Sequence, residues 1–179
     1  MKKIFAAMIT VLLLAGCSSQ RDLSRADLCV QRGEDKAQIC YGMERAEVEK
    51  VAGKGEVSPV SSSTFWYEND LSVTYRNGAV VGLRVFDGVY YEHPSGFKIG
   101  DLPDKLKEKY GAASQERLGS IAYIYDSKNK TMTEIKDDQP FVPEGQDPKD
   151  FWAVNVFTNN DGYISLWLVG DMQAALMSE

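Results

Sequence analysis

Apolar and polar residues alternate in several short runs, which read as β-strands, and two charged segments between glycines read as helices. Gly42-Met43-Glu44-Arg45-Ala46-Glu47-Val48-Glu49-Lys50-Val51-Ala52-Gly53 lines up with Gly100-Asp101-Leu102-Pro103-Asp104-Lys105-Leu106-Lys107-Glu108-Lys109-Tyr110-Gly111. In the second segment Asp101 can cap the helix, Pro103 suits its first turn and Gly111 its end. Leu102, Leu106 and Tyr110 then share one face. Strands are expected after each helix. The first set is Phe65-Trp66-Tyr67, Leu71 to Tyr75 and Val80 to Phe86; the second is Ile121 to Tyr125, Trp152 to Thr158 and Tyr163 to Val169. Upstream, Leu23 to Val30 reads as a short helix.

Two hairpin turns stand out. Asn77-Gly78 supplies the two residues that tolerate positive φ in a tight turn, and Asn159-Asn160-Asp161-Gly162 supplies a longer one. A two-residue turn at Asn77-Gly78 pairs Tyr75 with Val80, which leaves Leu83 and Val85 on the wrong phase for the core. A β-bulge near Val81-Gly82 would return them to it; the alternative is a strand apolar on both faces. The last strand alternates without such a break. Ile164, Leu166 and Leu168 read as its core face, and Tyr163, Ser165 and Trp167 point the other way.

The repeated pattern predicts an α+β ectodomain of two tandem units, each with short helices packed on a small antiparallel sheet. The expected boundaries are 27–91 for the first unit, 92–96 for a linker and 97–170 for the second unit. An insertion at 136–150 carries Pro140, Pro143 and Pro148 and reads as an exposed loop. Residues 171–179 form a tail.

The N-terminus changes the picture. Lys2-Lys3 precede an apolar run, Ile4 to Leu14, that is too short to span a bilayer and has the proportions of a signal-peptide core. It ends in Leu14-Ala15-Gly16-Cys17, which resembles the lipobox of bacterial lipoproteins. The resemblance implies cleavage after residue 16, a lipid anchor on Cys17 and a tether over 17–26. One acyl chain binds a membrane only marginally, whereas two or three hold a protein stably. Ser18, where an Asp would signal inner-membrane retention, favours the periplasmic side of the outer membrane if the source is Gram-negative. In a Gram-positive source the address is the outer face of the cell membrane. Cys17 aside, Cys29 and Cys40 remain in an oxidising compartment and are expected to form a disulfide; two free buried thiols are the alternative.

The chain carries 20 Lys and Arg against 26 Asp and Glu, and loss of Lys2 and Lys3 makes it more acidic still. No basic stripe offers itself to nucleic acid. The 44% hydrophobic content is enough to bury a core, which excludes wholesale disorder. The single histidine, His93, sits beside Pro94 and reads as a polar turn residue rather than a catalytic base. Asp137, Asp138, Glu144, Asp147 and Asp150 lack calcium-loop spacing and read as a solvated acidic loop. Gly53-Lys54-Gly55 lacks the rest of a phosphate-binding loop. No catalytic residue, metal site or cofactor is expected.

Residues 42–53, Trp66-Tyr67, Leu71 to Gly78, and 96–111 resemble the β-lactamase inhibitory protein fold. They also resemble the single units of the BamE/SmpA/OmlA outer-membrane lipoproteins, accessory subunits of a β-barrel assembly machine. The resemblance covers roughly residues 27–170. With no catalytic constellation in the sequence, the expected function is non-enzymatic binding of another envelope protein, and the resemblance implies the form, either an assembly accessory or an enzyme inhibitor. The candidate partner-binding residues are Trp66, Arg84, Phe86, Tyr163 and Trp167, all on strand phases opposite the expected core. The competing reading has Trp66 and Trp167 plugging the junction between the units. A lipoprotein that binds a small ligand or cell-wall glycan through the same aromatics is the alternative function.

Overall fold

A computed structural model describes residues 22–176, except 87, 118 and 137. A 3-10 turn, Arg25–Asp27, leads into β1 (Cys29–Arg32), β2 (Gln38–Cys40) and α1 (Arg45–Ala52). Then come β3 (Glu56–Ser58), β4 (Ser61–Tyr67), β5 (Leu71–Arg76), β6 (Ala79–Val85) and β7 (Tyr91–Glu92). The remainder is α2 (Asp104–Tyr110), β8 (Gln115–Arg117), β9 (Ser120–Asp126), β10 (Thr131–Met132), a second 3-10 turn (Pro148–Asp150), β11 (Phe151–Thr158), β12 (Ile164–Asp171) and α3 (Met172–Leu176).

The expectation of an α+β protein in two tandem helix-plus-sheet units is not met. Strands dominate, and they form one continuous nine-stranded antiparallel sheet in the order β10-β9-β11-β12-β6-β5-β4-β3, with β8 beside β9. The cause is the pairing of β12 with β6, from Trp167 opposite Val85 to Gly170 opposite Gly82. Two strands that local patterning leaves as separate edges are thereby fused, and each satisfies the other's backbone groups. Three further strands, β2-β1-β7, pair in a small second sheet of their own.

The elements read from the sequence otherwise form close to their expected places. Both glycine-bounded segments contain helices, shorter than their bounds. Gly111 ends α2 at φ 78°, where a side chain would be strained. Asp101 does not cap α2; the helix starts at Asp104 behind Pro103, and Asp101 accepts the Lys98 amide instead. Leu106 and Tyr110 are buried, while Leu102 lies outside the helix and is exposed. The Leu23 to Val30 segment is not an α-helix: it makes the 3-10 turn and then enters β1, where it pairs with β2 and β7.

One face of the large sheet carries the main core. Leu71, Val73, Leu83, Val85, Tyr123, Val154, Trp167 and Val169 meet Val48 of α1, Leu106 and Tyr110 of α2, and Leu28, Val30 and Ile39. The opposite face is covered only in part. There Ala122, Ile124, Phe151 and Ala153 pack with Met172 of α3 and Ile135, and Phe141 and Val142 from the insertion join them. The insertion is thus a loop, as its prolines require, but this apolar pair folds it back onto the sheet.

Candidate functional site

Which residues reach the less-covered face is decided by two bulges. The Asn77-Gly78 turn pairs Arg76 with Ala79 and Tyr75 with Val80, both turn residues having positive φ. The register then slips, because Thr74 pairs with Gly82 and Val81 is the extra residue. Leu83 and Val85 return to the core, and Arg84 and Phe86 take the other face. The bulge alternative, rather than a doubly apolar strand, is the one the structure contains.

The second bulge is at Ser165. Phe157 pairs with Leu166 but Thr158 pairs with Ile164, so the phase of β12 reverses between them. This corrects the reading of the last strand. Trp167 is not on the outer phase but fully buried, with its ring centroid 5.3 Å from Phe97 and 5.8 Å from His93. Leu166 and Leu168, expected in the core, line the open face instead. For Trp167 the junction reading holds, since it faces Val85 across the seam. For Trp66 it does not.

Trp66 is 39% exposed and stacks on Phe86 with ring centroids 4.8 Å apart and planes 28° from parallel. The Arg84 guanidinium stands 5.6 Å from the Phe86 centroid, within reach of a cation–π attraction. Three of the expected binding residues therefore come together. Tyr163 does not join them: it flanks the β11–β12 turn, 45% exposed, with its amide donating to Asn159 Oδ1 at 3.0 Å.

Beyond Arg84 the face opens into a groove of about 350 Å³. Its walls include Ile124, Phe157, Leu166, Leu168, Met172 and Leu176, with Ser120 and Asn155 as polar members. Ser120 Oγ donates to Asn155 Oδ1 at 3.2 Å. Sequence reasoning missed this groove because Ile164, Leu166, Trp167 and Val169 are apolar on both phases, so nothing local marks the slip at Ser165. Burial pushes the Arg84 guanidinium below its ordinary pKa, a shift that still leaves it a cation. Among the described residues it is the only ionisable one lining the groove.

His93 opens a turn closed by the Gly96 amide, as a residue beside Pro94 suggests, but its ring is buried. Nε2 lies 2.8 Å from the Asp27 carbonyl oxygen and Nδ1 lies 2.7 Å from Ser95 Oγ and accepts the Ser95 amide at 3.1 Å. These partners select the neutral ring with its proton on Nε2. Asp27 itself is an inner hub: Lys109 pairs with it, Tyr110 donates to Oδ1 at 2.8 Å, and Ser24 donates to Oδ2 through its amide and hydroxyl. Burial alone would raise the Asp27 pKa, but the bonds from Lys109, Ser24 and Tyr110 outweigh it and hold the carboxyl below its ordinary value.

Cys29 and Cys40 face each other across β1 and β2 and form a disulfide. Cys17, the expected lipidation site, lies outside the described residues, as does Asp137. Asp138, Glu144 and Asp147 are exposed, and Asp150 pairs with Lys128 at 2.5 Å. Among the described residues no three His, Cys, Asp or Glu side chains gather as metal ligands, and no helix is long and apolar enough to cross a membrane. No protein-family model, no curated protein and no solved structure matches this chain.

Proposed function

We propose that this protein is a bacterial envelope lipoprotein, anchored through Cys17, whose non-enzymatic globular part binds another protein through the open face of its sheet. The observation that carries this reading is the Trp66–Phe86 stack with Arg84 beside it. An exposed tryptophan and a half-buried arginine, held by a rigid sheet and away from the main core, are the residue types that dominate interface energetics. The lipobox-like ending at Cys17 supplies the anchor, and the Cys29–Cys40 bridge fits the oxidising side of a membrane. That His93 has both ring nitrogens engaged inside the protein weighs against its use as a catalytic base. The partner is an envelope protein, which this chain either helps assemble or inhibits.

The test is a crosslinking pull-down of the full-length protein from its native envelope, beside a Trp66→Ala variant shown to melt at the same temperature. One dominant partner is expected, and its yield should fall about tenfold in the variant, as removal of a hot-spot side chain does. Equal capture by both proteins, or no specific partner for either, overturns the proposal. Trp167 is unsuitable for this test because its side chain is inside the core.

A further inference from the structure

Arg84 sits in mid-sheet, opposite Ser72 on one side and Leu168 on the other. Other arginines have found their counter-charges: Arg32 pairs with Asp35, Arg45 with Glu49, and Arg76 with Asp171. Arg84 has none. Among the described residues no ion pair or hydrogen bond reaches its guanidinium, and the Phe86 ring is its one favourable contact. Asp171 lines the small hollow on the other side of Arg84, yet it is already taken. It pairs with Arg76, and it accepts the Tyr41 hydroxyl at 3.0 Å and the Ala174 amide at 2.9 Å.

A half-buried cation without a partner is costly, and a ligand that brings an anion removes that cost. The groove beside it states what the rest of the ligand must be. Ile124, Phe157, Leu166, Leu168, Met172 and Leu176 offer an apolar wall, and Ser120 and Asn155 already bond to each other. At about 350 Å³ the space is at the low end of small-molecule sites. It is too small for a helix, whose diameter with side chains is about 10–12 Å.

We infer that this groove binds a single-chain carboxylate amphiphile, a free fatty acid. Its carboxylate lies on the Arg84 guanidinium, whose planar fork matches two carboxylate oxygens. Its chain runs along Leu168 and Leu166 toward Phe157. This site goes beyond the protein-binding surface proposed above, and its readout needs no partner protein.

The experiment uses full-length protein from its native envelope in nanodiscs, with a diazirine-bearing dodecanoate as the probe. After photolysis the labelled peptides are mapped. Labelling is expected on β11 and β12 and competed by dodecanoate but not by dodecanol. In Arg84→Gln it should fall about tenfold, the scale of one lost charge-assisted contact, and Arg84→Lys should restore part of it. Should Arg84→Gln misfold, the preference for dodecanoate over dodecanol decides alone. Labelling outside the groove, equal competition by dodecanol, or unchanged labelling in folded Arg84→Gln overturns the inference. So does labelling that appears only after residues 177–179 are removed, because Glu179 would then be the native counter-charge.

Discussion

His93 contributes stability only while it is neutral. Burial pushes its pKa down from 6.5 to about 4; the bond to the Asp27 carbonyl opposes this, and the nearby Lys109 charge adds to it. The unfolded chain therefore takes up a proton on this ring at a pH where the folded protein does not. The ring's contribution is complete above pH 6.5 and is lost progressively as pH falls toward 4. By pH 5 the loss is about 2 kcal/mol. Asp27, held below its ordinary value, acts only at lower pH and does not blur this window. Urea midpoints measured from pH 7 to pH 4.5 should fall steadily for the wild-type protein and far less for His93→Gln. Parallel curves for the two proteins would show that the ring is not the titrating group. The turn at His93 was legible from Pro94 and Gly96. Its burial was not, because the deciding partner, Asp27, is far away in the sequence.

Strands and their bulges show the same division between local and distant causes. The slip at Val81 could be read because the two-residue turn at Asn77-Gly78 pins the register, so the misplaced phase of Leu83 and Val85 becomes a contradiction. No such pin exists for β12. Its turn is longer, and with Ile164, Leu166, Trp167 and Val169 all apolar, either phase satisfies a hydrophobic count. What the two strands share is a glycine pair at their junction. Gly170 has φ 155°, and a Cβ there would stand 2.4 Å from the Val81 carbonyl oxygen and 2.8 Å from the Gly82 Cα. Those are backbone atoms, which cannot step aside as a flexible side chain would. Gly170→Ala should therefore destabilise the protein by about 1–3 kcal/mol, the range for overpacking a tight site. Urea unfolding of that variant measures it, and a midpoint equal to wild type would mean that β12 and β6 approach less closely than this.

At the scale of the molecule, the β12–β6 junction decides whether there is one folding unit or two. Helices, hairpins and their order were legible because each depends on residues close in sequence. The seam was not, because edge strands advertise no partner: β6 and β12 each look complete as the last strand of a local hairpin. Once joined, they bury Trp167 against Val85, His93 and Phe97, so the segment between the two halves becomes part of the interior. A sheet shared in this way has no boundary at which half of it could unfold while the other half keeps its edge paired. Unfolding in urea should be a single transition, with far-UV circular dichroism and tryptophan fluorescence giving one midpoint. Trp167→Ala should cost about 3–5 kcal/mol and move both signals together. Two separated midpoints, or a Trp167→Ala variant in which only one signal shifts, would mean that the halves fold independently and that the seam joins two bodies already formed. Coincident transitions would instead place Trp167 in the structural core of the whole protein, and leave Trp66, Phe86 and Arg84 free to serve binding without serving the fold.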